Sequence, residues 1–446
     1  YCVASLYSKG KPIYAADKKD WPKHLMRDLM GDMDKQYTML KNKEIIVGIT
    51  GGIAAYKTAE LVRELSKRGA NVHVVMTKNA MAFVTPLTFQ TLSGNPVVHE
   101  MFELFAGSKI GHIALSDIAD QMVIAPATAN IIGKIANGIA DDFLTTMVMA
   151  TTVPILFVPS MNTKMWGSPM VEANIMKLKE AGYEVMEPES GDLACGTSGK
   201  GRMPRIEDVL EKMEDIFTEK DLINERVLVT AGPTTEYIDP VRCITNKSSG
   251  KMGYSIAKIA KRRGADVILI TGKTYVAPPR TDMRIIEVET ACEMRDAVME
   301  HHRYCSIIIK AAAVADFKCK NETCQKMKKG DDNIVLLELE KNPDIIGELG
   351  KIKEQRILIG FAAETQNLFD HAAEKLKKKN LDIIVANDVS RSDIGFGSDS
   401  NEVTIIEATG GAKHVPMLSK DEIAHIILDA AKKALKKKKR VEEDWY

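Results

Sequence analysis

The sequence predicts an α/β protein built from two doubly wound, Rossmann-like domains. Three observations carry this. Short β-branched runs alternate with stretches whose apolar residues recur at helical spacing. The alternation restarts once: EIIVGITGG (44–52) opens one series and ERVLVTAGPT (225–234) opens another. The helix-to-strand passages of the two series nearly echo each other, KRGANVHVVMT (67–77) against RRGADVILITG (262–272). A solenoid would repeat many times at a short period, whereas two copies on a chain of 446 residues fit two domains.

The elements follow in order. EIIVGITGG reads as a buried parallel strand running into a glycine turn. Ala55, Ala59, Leu61, Val62 and Leu65 mark one face of the next helix, and Gly69 is placed to stop it. NVHVVMT (71–77), ADQMVIAPAT (119–128) and VPILFVPSMN (153–162) are further strands of the first domain. EDVLEKMEDIFTEKDLINE (207–225) reads as a charged helix closing that domain and leading into the next. In the second series a helix spans SGKMGYSIAKIAKRRGA (249–265), followed by strands in DVILITG, SIIIKAAAVAD, RILIGFAAET, LDIIVAND and EVTIIEA. These boundaries predict an extension over 1–42, a first domain over 43–222 and a second over 223–435. Residues 1–38 are polar, lack the apolar core of a signal peptide and precede Met39, which suggests a segment upstream of a natural start. The tail KKALKKKKRVEEDWY is expected to be a solvated helix end.

Lys plus Arg and Asp plus Glu each number 61, so no net charge draws the chain toward nucleic acid or a membrane surface. No apolar run approaches 18 residues, which argues against a membrane span. The seven cysteines are irregularly spaced and contain no C-x-x-C, which favours reduced thiols in a cytoplasmic protein over a zinc ribbon or disulfide framework. The G-x-G-x-x-G fingerprint is missing after both opening strands, so a nicotinamide dehydrogenase is disfavoured. Tyr254 and Lys258 form a Tyr-x-x-x-Lys pair, but on the first helix of its domain this is two residues sharing a face.

Four segments of the first half end strands or open helices: TGGIAAYK (50–57), GHIALSDIAD (111–120), APATAN (125–130) and PSMNTKMW (159–166). Gly51 and Gly52 can offer backbone N–H groups to a phosphate. The small residues of APATAN leave room for a planar ring, and PSMNTKMW ends a strand at Asn162. LACGTSGKGRMP (193–204) adds a cysteine among three glycines. It lacks the spacing of a phosphate loop, and its glycines are expected to act as hinges of a covering flap.

Together these segments resemble the flavin-containing cysteine decarboxylases, in particular the phosphopantothenoylcysteine decarboxylases, over about residues 43–210. The resemblance implies a flavodoxin-like flavoprotein fold that binds FMN through Gly51, Gly52, Ile53, Thr77, Ala127, Thr128 and Asn130. It makes His112 the catalytic histidine, as acid/base or orienting partner or acting on the leaving carboxylate. It assigns Asn162 to the substrate carboxylate and Cys195 to the flap. The flavin would oxidise the substrate thiol, allow CO2 to leave and return the electrons, with no net redox. Cys195 is expected to stay a thiol and donate a proton to the enethiol, whereas Lys200 or Arg202 near the sulfur would favour the thiolate. A flavin-dependent prenyltransferase shares the architecture, and a regulatory flavoprotein could share the fold; the Cys195 flap and the whole second half of the chain speak against the first, and the joint presence of His112, Asn162 and Cys195 against the second.

The second half carries TAGPTTEYIDPVRCITNKSSGKMG (230–253), KAAAVADF (310–317), QKMKKG (325–330), KNPDIIGEL (341–349), GFAAET (360–365) and EKLKKKNLDIIVANDVS (374–390). Asn246, Ser248, Ser249 and Gly250 can present donors at a helix start, KAAAVADF is expected to end a strand at Asp316, and Lys375 and Lys379 share a helix face. The set resembles the bacterial, CTP-using phosphopantothenate–cysteine ligases over about residues 224–432. That resemblance implies contacts to CTP from Lys310, Ala311, Ala312, Asp316, Lys326, Pro343, Asp344, Ile345, Ile346, Phe361, Lys375 and Lys379. Lys326 becomes the essential lysine and Asn246 the residue that forms or holds an acyl-cytidylate. Mg2+ would offset the triphosphate, with ligands not read from the sequence. Substrates would be 4'-phosphopantothenate, L-cysteine and CTP, and the family implies a homo-oligomer with trimeric decarboxylase and dimeric ligase units, a dodecamer if both symmetries combine.

Overall fold

The computed structural model describes residues 7–8, 11–12, 39–101, 112–193, 196, 198–327, 336–364, 368–388 and 397–443. Contacts divide the chain into two compact units, Thr38–Thr218 and Glu219–Tyr446, with Tyr1–Tyr37 grouped with the second. Within the N-terminal segment, Tyr7–Ser8 pairs antiparallel with Lys11–Pro12.

The first unit is built on strands β1 (Glu44–Ile49), β2 (Asn71–Met76), β3 (Gln121–Ala127), β4 (Ile155–Pro159) and β5 (Glu184–Val185), all parallel, in the order β2-β1-β3-β4-β5. Alternate residues of these strands face opposite layers. Val47, Val74 and Leu156 pack with Leu61 and Leu65 of α1 (Ala55–Lys67), Phe89 of α2 (Pro86–Ser93) and the C-terminal helix of the unit, while Ile46, Met122 and Phe157 pack on the opposite layer. That opposite layer contains α3 (His112–Ile118), α4 (Ala129–Ala136), α5 (Phe143–Ala150) and α7 (Pro169–Glu180), with the single-turn α6 (Thr163–Trp166) before it. As expected, α1 stops at Lys67 and Gly69 follows with φ 81°.

Two expectations are corrected here. The charged helix α8 runs only over Ile206–Phe217; its apolar face (Ile206, Val209, Leu210, Met213) is buried there, and no comparable periodicity sustains it to 225. The glycine loop is not a set of hinges. Hairpin strands β6 (Glu189–Asp192) and β7 (Ser198–Arg202) frame it, and two of its glycines lie inside β7. A Cβ on Gly201 would sit 2.2 Å from the Met161 carbonyl oxygen, and one on Gly199 would sit 2.7 Å from Thr163 Oγ1. These glycines seat the hairpin on the loop after β4, where the Met161 N–H donates to Gly201 O at 2.9 Å. Only Gly196, with φ 80°, has a conformation that calls for glycine with open space around it.

The second unit carries an eight-stranded sheet. Its strands are β8 (Arg226–Ala231), β11 (Asp266–Thr271), β12 (Arg284–Glu287), β13 (Ile307–Lys310), β16 (Ile357–Glu364), β17 (Ile383–Asp388), β18 (Ser400–Glu407) and β19 (Ala412–Ser419). The order is β12-β11-β8-β13-β16-β17-β18-β19, parallel through β17 and antiparallel beyond it. The short pairs β9 (Thr235–Tyr237) with β10 (Cys243–Thr245), and β14 (Phe317–Cys319) with β15 (Leu339–Lys341), lie outside it. Helices α9 (Lys251–Arg262), α10 (Ala291–His301), α11 (Ile345–Lys351), α12 (Leu368–Lys378) and α13 (Lys420–Glu443) complete the unit.

In this unit β13 ends at Lys310, not Asp316. Beyond it the Ala311 N–H goes to Thr230 O, the Ala312 N–H to Thr230 Oγ1 and the Ala313 N–H to Gly232 O, so the chain crosses over the end of β8 instead of extending the ladder. The cationic tail is not simply solvated. Lys432 pairs with Asp221 at 2.5 Å, Lys438 with Asp382 at 2.8 Å and Lys439 with Glu225 at 2.7 Å. Burial alone would raise Asp221, but the hydrogen bonds of Arg263 and Lys432 overcome it and hold the carboxyl at about 2. A depressed carboxylate stabilises the fold above its unfolded pKa and loses that contribution as pH falls from about 4 to about 2. Asp221→Asn is therefore expected to cost about 2 kcal/mol at pH 7 and almost nothing near pH 2, measured by denaturant unfolding at both values.

Candidate active sites

In an open parallel sheet, ligands gather beyond the carboxyl ends of the strands where the order reverses. The 2-1-3-4-5 order of the first unit places that point between β1 and β3. Among the described residues, those singled out for the flavin and Asn162 lie at or follow the strand ends at this edge. Gly51, Gly52 and Ile53 form the turn from β1 to α1. Thr77 follows β2 and donates its N–H to Ile49 O at 3.0 Å. Ala127 ends β3, Thr128 caps α4 by accepting the Ile131 N–H at 3.4 Å, and Asn130 is exposed on the first turn. Asn162 follows β4 and caps α6, its Oδ1 accepting the Lys164 N–H at 2.9 Å.

Thr50 ties the two sides of the switch point together. Its hydroxyl donates to Pro126 O at 2.6 Å and accepts the Thr128 N–H at 3.3 Å. The glycines beside it allow close approach, since a Cβ on Gly51 would lie 2.5 Å from Asn79 Cβ. The N-cap of α1, Ala54, supplies no side-chain cap, and among the described residues no acceptor takes the N–H of Gly51 or Ile53. Such a turn suits an anion, and the 55% exposed Ile53 beside it offers an apolar surface. His112 opens α3, but its side chain lies outside the described residues, as does Cys195 altogether. Lys200 pairs with Glu187 at 2.6 Å and stacks 5.9 Å from the Trp166 ring.

The second unit has the 3-2-1-4-5-6 order over its parallel strands, with the switch point between β8 and β13. A cavity of about 410 Å³ opens there. Asn246, Lys310, Ala311, Ala312, Asp316, Ile346, Phe361 and Lys375 line it. Lys247, Ser248, Ser249 and the first turn of α9 line it too, as do Asn387, Asn401 and Lys420. Gly253 lets α9 lie against β8, because a Cβ there would sit 2.6 Å from Ala231 Cβ.

The other predicted contacts are not in the cavity wall. Lys326 is exposed on a loop whose next residue, Met327, donates its N–H to Asp239 Oδ2 at 3.1 Å. Pro343, whose carbonyl accepts the Ile345 N–H at 3.1 Å, and the buried Ile345 precede the cavity-lining Ile346 in the chain. Asp344 caps α11 through the Gly347 N–H at 3.1 Å and pairs with Lys379. Lys375 and Lys379 therefore diverge: Lys375 lines the cavity and donates to Phe361 O at 3.1 Å, while Lys379 neutralises Asp344. Asn246 also departs from its expected role as a donor to ligand. Its amide nitrogen donates to Ala313 O at 3.2 Å and Val314 O at 3.1 Å, so it braces the loop that carries Asp316. From the other side Asn342 donates to Ala315 O at 2.9 Å.

The sequence reading missed Lys251, Asn387, Asn401 and Lys420. The last two arrive on β18 and at the start of α13, and no local pattern marks a residue delivered by an antiparallel extension of the sheet.

The cavity is cationic. Burial, followed by repulsion from Lys375, pushes Lys310 down to about 8, while Asp344 and Asp316 pull the other way. Lys310 keeps its charge below that value and loses it above. Binding of pyrophosphate to the intact chain is thus expected to weaken as pH rises through about 8. Lys375→Gln removes a repelling charge, so the midpoint of that step should move to higher pH even though binding weakens. A midpoint that stays or falls in a calorimetric pH series would contradict the coupling. Among the described residues no group of three or more His, Cys, Asp or Glu is placed to hold a metal ion, and no helix is long and apolar enough to cross a membrane.

Known proteins match both units. The family described as Flavoprotein matches residues 33–218, and the DNA/pantothenate metabolism flavoprotein C-terminal domain matches residues 222–435. The coenzyme A biosynthesis bifunctional protein CoaBC of Bacillus subtilis is 47% identical over 393 residues, spanning 87% of this chain and 97% of that protein. The protein of the same description from Vibrio cholerae is 44% identical, spanning 87% and 98%, and that of Escherichia coli 41%, spanning 87% and 97%. With a flavoprotein unit and a ligase unit in the same order and matched across almost the full length of these relatives, the chain belongs to the family of bifunctional coenzyme A biosynthesis proteins, which are decarboxylase and ligase on one polypeptide.

Proposed function

We propose that the cavity of the second unit joins L-cysteine to 4'-phosphopantothenate at the expense of CTP, and that the crevice of the first unit decarboxylates the product to 4'-phosphopantetheine with FMN. The observation that supports this most is the lysine-lined cavity at the β8/β13 switch point. A carboxylate and a nucleoside triphosphate repel each other, and Lys310, Lys375, Lys251 and Lys420 lower that repulsion. The carboxylate attacks the α-phosphorus of CTP, pyrophosphate leaves, and the cysteine amine then displaces CMP from the acyl-cytidylate. One carboxylate in the wall, Asp316, fits Mg2+ that is held chiefly by the phosphates. Lys326 reaches the nucleotide only if its exposed loop closes over ligand. Asn246 and Asn342 fix the loop from Ala311 to Asp316, and Asn246 turns its amide oxygen to the bound intermediate.

The first crevice fits a flavin mononucleotide by its turn N–H groups at Gly51 and Ile53, the small residues Ala127 and Thr128, and the exposed Ile53. Thr77 and Asn130 complete the set that would hold it. FMN, when bound, supplies a reversible oxidation of the cysteine thiol. Asn162 directs its amide nitrogen at the substrate carboxylate from a position fixed by the α6 cap. His112 manages the proton of the thiol or orients the carboxylate, and Cys195 returns a proton to the enethiol. We place the division between the halves at 222/223, with 1–42 outside both, in a cytoplasmic homo-oligomer of trimeric decarboxylase and dimeric ligase units. The test is chemical: the purified chain should release FMN on denaturation and should release pyrophosphate only when CTP, Mg2+ and 4'-phosphopantothenate are all present. A colourless chain, or pyrophosphate release without the acid, would refute the respective half.

A further inference from the structure

Two of the lysines lining the second-unit cavity, Lys310 and Lys420, have different charged neighbours. The charges that act on Lys310 are Lys375, Asp344 and Asp316. Those that act on Lys420 are Lys251 and Asp399. Lys420 is unusual for a lysine at the start of a helix: only 6% of it is exposed, and it lines the cavity. Its ammonium has three donors, yet among the described residues its side-chain acceptor is the Ser398 carbonyl. The nearby carboxylate, Asp399, is taken by Lys251 at 2.6 Å, and Lys251 also donates to Gly397 O at 3.0 Å. Asn401, buried and in the same wall, keeps its Oδ1 on the Glu402 N–H at 3.0 Å.

Burying an ammonium against one carbonyl, next to a second lysine, is unfavourable for the fold. Burial and Lys251 accordingly push Lys420 down to about 8. A lysine serving only the fold would sit on Asp399; here that carboxylate is engaged elsewhere. An anion entering the cavity would offset both the burial and the repulsion. Ser248, Ser249 and the first turn of α9, which begins at Lys251, line the same cavity.

We propose that Lys420, with Lys251 and Asn401, is a second phosphate-binding pole of this cavity, separate from Lys310 and Lys375. It rests on the ligase reading of the cavity, and deepens it by requiring two phosphoryl-bearing groups to be held at once. The phosphoryl group at this pole comes from the phosphomonoester of the acid or from the nucleotide.

The experiment uses the full chain and steady-state pyrophosphate release, with thermal unfolding of the full chain as the control for folding of the second unit and decarboxylation of supplied 4'-phosphopantothenoylcysteine as the control for the first. Lys420→Gln is expected to raise the KM of one phosphate-bearing substrate by about tenfold or more, the usual worth of a charged hydrogen bond, and Lys420→Arg to recover much of it. If the acid's phosphomonoester sits there, the preference for 4'-phosphopantothenate over unphosphorylated pantothenate collapses while the KM for CTP holds. If the nucleotide sits there, the KM for CTP rises and the preference between acids holds. Should Lys420→Gln fail to fold, Lys251→Gln reads the same pole from a more exposed position. Both KM values within twofold of wild type in the folded variants would overturn the second pole. A wild-type chain that releases no pyrophosphate would instead overturn the ligase reading beneath it.

Discussion

Replacing Lys310 with Gln is expected to slow CTP-dependent pyrophosphate release by about a hundredfold or more, while decarboxylation of supplied 4'-phosphopantothenoylcysteine is unchanged. Lys310 is the last residue of β13, at the strand end beside the switch point, and its ammonium is desolvated. In a low-dielectric pocket a fixed charge aimed at phosphate is worth far more than in water. Its neighbours do not take over its position: Lys375 lines the same cavity but is partly engaged by Phe361 O, and Lys379 is held by Asp344. Because the charge is buried beside Lys375, its removal should leave thermal stability unchanged or raised. A stable variant with near-normal ligase activity would remove Lys310 from the mechanism.

Gly201→Ala should have the converse effect. The new methyl group would lie 2.2 Å from the Met161 carbonyl oxygen and 3.3 Å from the Thr163 nitrogen, on the two sides of Asn162. Backbone cannot yield as a side-chain end can, so hairpin and loop must separate. A shift near one ångström at a substrate-orienting residue costs about a hundredfold in rate, and overpacking costs about 1–3 kcal/mol of stability. Decarboxylation should therefore fall by roughly that factor while ligation persists. Gly196→Ala, whose added Cβ would meet no atom within 4 Å among the described residues, meets the backbone cost of φ 80° and should retain far more activity. Equal activity in both variants would show that the close approach has no catalytic consequence.

The parallel strands and their helices were legible because each carries its own periodicity: Val47, Val74 and Leu156 face one layer, Ile46, Met122 and Phe157 the other. The short pairs β6–β7, β9–β10 and β14–β15 were not legible, since strands of three to five residues leave too little alternation to read. Residues at strand ends, such as Asn162 and Lys310, could be placed from sequence because topology gathers strand ends at one edge. Lys420 and Asn401 could not, because they depend on the register of an antiparallel extension. The bracing contacts of Asn246 were not legible for a related reason: a motif names the residue, and only the fold reveals that its amide nitrogen faces Ala313 and Val314. The glycines of LACGTSGKGRMP were misassigned as hinges because close approach between segments 40 residues apart has no local signature.

The central claim is that one chain performs both steps, ligation in the second unit and decarboxylation in the first. The most direct measurement supplies the purified chain with 4'-phosphopantothenate, L-cysteine, CTP and Mg2+ and follows pyrophosphate, CO2 and 4'-phosphopantetheine together. The account predicts all three products in equal amounts at completion, with no added reductant or oxidant. Absence of both pyrophosphate and 4'-phosphopantetheine, or a requirement for an external redox partner, would contradict it.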